Sequence, residues 1–451
     1  MPLVGNHGVN TSAIAISNGV KQLKDIIVGL LGFGNVGKGF ATVLKKNKAY
    51  IESTLGCSIT IKKILVRDPS KYSNTIMPDT LFTDNADEIL TDPQIQIVIE
   101  LIGGVQPACS YITKAIRQGK HVVTANKAVI ALHGKELFEL ADKHQVSIRY
   151  EASVGGGIPI IASLTKSLAA NEIEEIVGII NGTTNYILTR MDQEGMSFKE
   201  ALAEAQEKGF AEADPTSDIE GEDAAYKLSI LTHVAFGVDI NPAGIPCVGI
   251  GQISEKEIDF ARQLGYKIKL LAMVKKNGGS LNVHVHPALV PIDHPLAAVN
   301  NEYNALYVKG NAVGELMLYG KGAGPLPTAS AVWGDVLEVA KIIQNQIKDT
   351  NTIRIKNGFE PGNISSGSNA YYIRLQVIDR PGVLGKIATA FGRNSVSLES
   401  VVQRGRGGKT VPLIFITHEA EWDNLNAALN EIKQLDTVEE VASILMVQSR
   451  L

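Results

Sequence analysis

The sequence predicts an α/β protein in which a doubly wound parallel sheet comes first, an α+β domain follows and a ferredoxin-like module closes the chain. Three observations carry that expectation. Short apolar strands alternate with helical stretches over residues 25–150, the βαβ pattern of a parallel sheet. A glycine-rich turn stands directly behind the first of those strands. A segment rich in Asn, Gly and Ser, 349–369, has linker composition and sets residues 370–451 apart.

With 451 residues the chain has room for about three domains. Hydrophobic residues at 45% and charged residues at 20% suffice for a large core and exclude general disorder. A net charge of −4 argues against a nucleic-acid partner, which requires a basic excess. No uncharged apolar run reaches the roughly 20 residues of a bilayer span, so no membrane partner is expected. Residues 1–24 lack the marks of a signal or transit peptide and read as an N-terminal extension. Cys57, Cys109 and Cys247 are far apart and form no CxxC, which points to a reducing, cytoplasmic compartment.

In chain order, Ile26–Leu31 is a buried-strand run and a helical pattern continues through Phe40, Val43 and Leu44. Further strands are expected at Ile61–Val66, Ile95–Ile102, His121–Thr124 and Val146–Tyr150, with helices at Pro107–Gln118 and Gly134–Lys143. Residues 151–334 change character and form the expected substrate-binding and dimerisation domain. Glu174–Ile180 and Asn282–His286 read as strands of a second, mixed sheet there. A helix over 335–348 is expected to return to the first domain. Beyond the linker, strand, helix, two strands, helix and strand follow in the βαββαβ order of a ferredoxin-like fold.

The turn reads Gly32-Phe33-Gly34-Asn35-Val36-Gly37. Behind a strand and opening a helix, this spacing is the fingerprint of a Rossmann-type dinucleotide site. Its glycines allow a tight turn and close approach of backbone to pyrophosphate, and the helix N-terminus offers free N–H groups. Arg67 and Asp68 end the second strand. An acid there suits the ribose hydroxyl of NAD and an arginine the 2′-phosphate of NADP, so both cofactors stay open. Arg67, coming first, favours NADP.

The segment 205–227, AQEKGFAEADPTSDIEGEDAAYK, concentrates acids in a loop broken by Pro215 and Gly221. Asp223 and Lys227 stand four apart and share a helix face. Read blandly this is a solvated loop with one ion pair; read chemically it offers carboxylates for an amino group beside a proton-carrying lysine. Lys127, just past a sheet strand, lies at the ligand edge of a doubly wound fold. His284 and His286 alternate on a strand without a third ligand and make a poor zinc site.

The pattern A-x3-G-F-x3-D-P-x2-D-I-x-G-x-D-x3-K resembles the signature of homoserine dehydrogenases. Segments 122–127 (VVTANK), 150–159 (YEASVGGGIP), 181–185 (NGTTN) and 322–328 (GAGPLPT) resemble the same family. Residues 379–384 (DRPGVL) resemble an ACT regulatory domain. The resemblance implies reversible hydride transfer between NAD(P)H and L-aspartate 4-semialdehyde, giving L-homoserine on the route to threonine and methionine. It assigns Lys227 as acid/base, Asp223 as its orienting partner, Glu212 and Asp218 to the substrate's amino end, and Lys127 to substrate and cofactor. It adds Gly322 and Gly324 to the cofactor contacts. It also implies sodium or another monovalent cation on the carbonyls of Glu151, Val154, Gly156 and Ile158. The ACT module implies a homodimer or homotetramer and threonine as effector, near 382–384 and 394–396.

A cysteine-dependent semialdehyde dehydrogenase would need a nucleophilic thiol, which no cysteine here has the context to supply. Cys57→Ser, Cys109→Ser and Cys247→Ser should therefore each retain homoserine-dependent cofactor reduction, followed spectrophotometrically.

Overall fold

The computed structural model describes residues 25–72, 78, 81–349, 368–403 and 409–448. The expected N-terminal extension, 1–24, and most of the linker, 350–367, lie outside the described residues.

The first sheet contains β1 (Ile26–Leu31), β2 (Ile59–Leu65), β3 (Phe82–Thr83), β4 (Ile97–Glu100), β5 (His121–Thr124) and β6 (Ile148–Arg149). Its order is β3-β2-β1-β4-β5-β6, with every pairing parallel. The central strands β1 (IIVGLL) and β4 (IVIE) are mostly Ile, Val and Leu because both faces are covered. Helices Ala108–Arg117 and Lys127–His144 pack on one side, and Asn35–Leu55 and Pro325–Asn345 on the other. Sheet growth reverses between β1 and β4, so a crevice opens beyond their carboxyl ends.

The returning helix begins at Pro325, well before the expected 335. Pro325 and Pro327 fall in its first turn, where a missing N–H costs nothing. It lies tight against Asn35–Leu55: a Cβ on Gly39 would stand 2.3 Å from the Pro325 carbonyl oxygen. Trp333 stacks on Phe40 at 4.2 Å, and its indole N–H donates to the Phe40 carbonyl at 3.0 Å.

The second sheet contains β7 (Ile173–Ile179), β8 (Tyr266–Asn277), β9 (Ser280–Pro291), β10 (Tyr303–Gly310) and β11 (Gly314–Lys321). The C-terminal module adds β12 (Ser368–Ile378), β13 (Leu398–Gln403), β14 (Thr410–Thr417), β15 (Ala420–Glu421) and β16 (Val438–Val447), with helices Val383–Arg393 and Trp422–Lys433. The two sets join. β16 runs parallel to β9 through Met446–Ala288 and Val447–Leu289, and the sheet continues as β11-β10-β7-β8-β9-β16-β12-β14-β13. Strands β8, β10 and β11 carry no clear sequence signal. In β8 residues from both faces are buried, which erases the period-two alternation.

The approach at Gly39 yields a stability test. Gly39→Val must push the two helices apart, a strain of about 1–3 kcal/mol. Its thermal midpoint should fall, whereas Gly34→Ala, with open space around the added carbon, should keep the parental value.

Candidate active site

The crevice beyond β1 and β4 holds a cavity of about 460 Å³ lined by Gly32, Gly34, Arg67, Asp68, Lys71 and Tyr111, among others. Gly32 has φ +98°, and a Cβ there would meet the Leu101 carbonyl oxygen at 2.8 Å. A Cβ on Gly37 would meet the Gly32 carbonyl oxygen at 2.6 Å, so helix Asn35–Leu55 can start this close to β1 only without side chains. Gly34 faces open space, leaving the helix N-terminus accessible to a pyrophosphate. At the β2 end, Asp68 accepts hydrogen bonds from the Ser70 N–H (3.1 Å) and hydroxyl (2.6 Å) and lies 3.6 Å from Lys71. The bond from the Ser70 hydroxyl leads in holding its pKa below the usual carboxylate value. Neighbouring Arg67 has no such partner among the described residues.

A larger cavity, about 670 Å³, lies between the first domain and the second. Its wall includes Lys127, Thr183, Asp218, Asp223, Lys227 and Glu302, with Gly322 and Gly324 at the start of the returning helix. Gly322 and Gly324 thus face this cavity and are not among the residues lining the nucleotide cavity.

Asp223 is the centre of the arrangement. It is 5% exposed and sits in the first turn of helix Glu222–Phe236. One carboxylate oxygen meets the Lys127 Nζ at 2.5 Å; the other meets the Lys227 Nζ at 2.6 Å and accepts from the Asn181 amide at 2.8 Å. Burial alone would raise the Asp223 pKa, but the two ammonium groups outweigh it and hold the carboxyl far below its ordinary value. Burial likewise disfavours the charge on Lys127, yet Asp223, with Asp218 and Glu212 behind it, leaves its pKa raised. Lys227 also donates to the Ile180 carbonyl at 2.7 Å. An ammonium has three donors, so one remains after Asp223 and Ile180 are served. Asp218 accepts from the Asn181 amide at 2.7 Å and the Thr183 hydroxyl at 3.0 Å. Glu212 stands on the exposed part of the loop and is not among the residues lining the cavity.

The turn carrying Glu151, Val154, Gly156 and Ile158 needs positive φ at Gly155 (+69°) and Gly156 (+53°). The Glu151 and Ile158 carbonyls accept from the Val154 and Ile160 N–H groups at 3.4 and 2.8 Å. Those of the buried Val154 and Gly156 accept none among the described residues. The Glu151 carboxylate points elsewhere, to the N–H groups of Ile161 and Ala162 at 2.7 Å each.

Several positioning residues escape a reading of the sequence. Glu100, fully buried at the end of β4, accepts from Ile102 N–H (2.7 Å), Gly103 N–H (3.3 Å) and the Thr124 hydroxyl (2.6 Å). It thereby fastens the nucleotide side of the crevice to the strand end just before Lys127. Asn181 caps helix Gly182–Glu194 and steadies both acids. In that helix, Asn185 donates to the Asn301 and Tyr303 carbonyls at 2.9 and 3.0 Å and accepts from the buried Lys269 at 3.1 Å. Burial brings the Lys269 pKa down to about 7. The NGTTN run was the one available signal for Asn181 and Asn185; nothing marks Glu100 or Lys269.

A dinucleotide crevice together with a cavity that holds two lysines and a buried carboxylate defines an NAD(P)-dependent oxidoreductase acting on a CH–OH group. Family models agree: "Homoserine dehydrogenase, NAD binding domain" matches residues 32–151, "Homoserine dehydrogenase" 159–337 and "ACT domain" 371–437. The chain is 43% identical to the homoserine dehydrogenase of Synechocystis sp. and 39% to that of Bacillus subtilis, each alignment covering 94% of this chain and 99% of the relative. A crystal structure of a homoserine dehydrogenase from Thiobacillus denitrificans superposes with TM-score 0.86 at 40% identity, covering 94% of this chain and 98% of that one. A hyperthermophilic archaeal homoserine dehydrogenase in complex with NADPH superposes with TM-score 0.60 at 26% identity, over 70% of this chain and 98% of that one. The chain belongs to the homoserine dehydrogenase family, and carries an ACT domain at its C-terminus.

Asp223→Asn would leave two ammonium groups without the anion between them. It should lower kcat/KM for homoserine by about two to four powers of ten, the usual worth of a placed proton-transfer group. Cofactor binding, followed by fluorescence titration, should change far less.

Proposed function

We propose that the chain interconverts L-aspartate 4-semialdehyde and L-homoserine, with Lys227 moving the proton and Lys127 balancing charge at the reacting oxygen. The observation that carries this reading is the buried Asp223 carboxylate shared by both lysines. Bound NAD(P)H supplies the hydride to the aldehyde carbon. Asp223 holds the Lys227 ammonium, whose remaining N–H is free to bond the aldehyde oxygen and to pass its proton as alkoxide charge develops. Lys127, just past β5 of the first domain, adds a second positive charge to the cavity wall. Asp218, oriented by Asn181 and Thr183, supplies the negative charge for the substrate's ammonium end, and Glu212, on the exposed loop outside the cavity wall, adds to that field from a distance.

NADP fits the nucleotide cavity better than NAD. Asp68 is already engaged by Ser70 and Lys71, while Arg67 is left for a 2′-phosphate. The NADPH complex of the archaeal relative supports the same preference. Sodium or another monovalent cation suits the 151–158 turn, because the buried Val154 and Gly156 carbonyls otherwise go without a partner. There it would steady the turn that seats Gly156 against Gly322. In the ACT domain, threonine is the proposed effector. Gly382 (φ +89°) opens helix Val383–Arg393 beside exposed Leu384, and Asn394 closes the same helix. Pairing of ACT domains would make the enzyme a homodimer or homotetramer, and its three free thiols suit a reducing cytoplasm.

The deciding assay follows formation of reduced cofactor from L-homoserine with NADP and with NAD, for the parent protein and Lys227→Ala, with and without threonine. Homoserine-dependent reduction lost in Lys227→Ala supports the reading, with NADP used more efficiently than NAD and threonine inhibiting. A folded parent protein that reduces neither cofactor would overturn it.

A further inference from the structure

The ACT domain and the substrate loop are joined by a continuous chain of contacts that the reaction chemistry does not use. Arg374, on β12, donates from Nε to Glu257 Oε1 at 2.6 Å and from Nη2 to Oε2 at 3.2 Å. Glu257 is 2% exposed, and the Arg374 guanidinium also lies over Phe260, 5.8 Å from the ring centroid. A buried carboxylate gripped at both oxygens by one guanidinium has a fixed direction as well as a charge. The grip passes to the start of helix Glu255–Gln263, where the Ser254 hydroxyl donates to the same carboxylate at 2.6 Å and caps the helix.

Immediately before Ser254 runs a strap, residues 246–253. The Ile250 N–H donates to the Ile219 carbonyl at 2.9 Å, next to Asp218. Gly249 lies so close that a Cβ there would stand 2.4 Å from the same oxygen. The strap's other side is laced to β9: Val248 N–H donates to Val285 at 2.8 Å, and Val285 N–H to Pro246 at 2.9 Å. A few residues further along β9, Ala288 and Leu289 pair with the ACT strand β16. Two routes from the ACT domain, one ionic and one through backbone, therefore end on the strap that backs the substrate loop.

We infer that Glu257 and Arg374 are positioning residues whose ion pair presses the 246–253 strap onto Ile219 and thereby sets the place of the Asp218 carboxylate. The inference rests on the proposed reading of Asp218 as a substrate ligand. It gives the ACT domain a grip on substrate affinity without any ACT residue entering the cavity. A state of the ACT domain that shifts β12 relative to helix Glu255–Gln263 changes that grip, which is the differential contact allostery requires.

The test compares the full-length parent with Arg374→Met, Arg374→Lys and the double variant Glu257→Gln/Arg374→Met. The double variant avoids leaving a lone buried charge and so protects folding. Arg374→Met and the double variant should raise KM for homoserine about fivefold, within the range known for coupling residues remote from a ligand. KM for NADP should stay at the parental value, and Arg374→Lys should recover part of the loss. Amide hydrogen exchange should quicken in 216–221 and 246–253 as well as in helix Glu255–Gln263. Parental KM for homoserine together with exchange that quickens only in that helix would overturn the inference and leave the pair as local glue. If the parent protein fails to turn over homoserine, the substrate reading of Asp218 falls, and the exchange comparison alone decides whether the link to 216–221 exists.

Discussion

The site depends on one buried anion. Asp223 is reached by Lys127 from the edge of the first sheet, by Lys227 from its own helix and by Asn181 from a helix cap in the second domain. A carboxylate withdrawn from water without partners costs several kcal/mol. The two domains must therefore meet closely enough for an ammonium on one to touch a carboxylate on the other. Charge thus fixes the width of the cleft as well as its chemistry. The local chain is shaped to allow it: Gly221, just before the helix, has φ +83°, and a side chain there would strike the Cys247 sulfur at 2.8 Å.

The sign of the site follows from the count of charges. Two lysines on one carboxylate leave an excess of positive charge where, on the proposed reading, an alkoxide forms. Asp218, bridged to Asp223 by the Asn181 amide, is itself tied by neutral donors alone. On that reading, opposite ends of an amino-acid substrate meet opposite fields, which orients it before any reaction occurs.

What could be read from the sequence was what is local. The Gly32–Gly37 turn encodes its function within six residues, and Asp223 and Lys227 declare their contact through helical spacing. Lys127 declares only its edge of the sheet, and its partner lies 96 residues on in the chain (223 − 127). Lys269 and the Glu257–Arg374 pair were invisible for the same reason: each acts through partners distant in sequence. β8 was hidden because its two buried faces remove alternation, with Lys269 interrupting the apolar run. The early start of helix Pro325–Asn345 was hidden by its prolines, which mark an ending elsewhere in a helix but not in its first turn.

That helix carries a consequence for how the molecule is made. Trp333, Val336 and Val339 complete the core that buries Phe40, Val28 and Leu30. As the chain leaves the ribosome, one flank of its first sheet is covered by helix Asn35–Leu55 alone until the whole second domain has been synthesised. The earliest-born domain is thus the one that finishes folding late. During that interval the apolar surface that awaits the returning helix is open to aggregation and to chaperones.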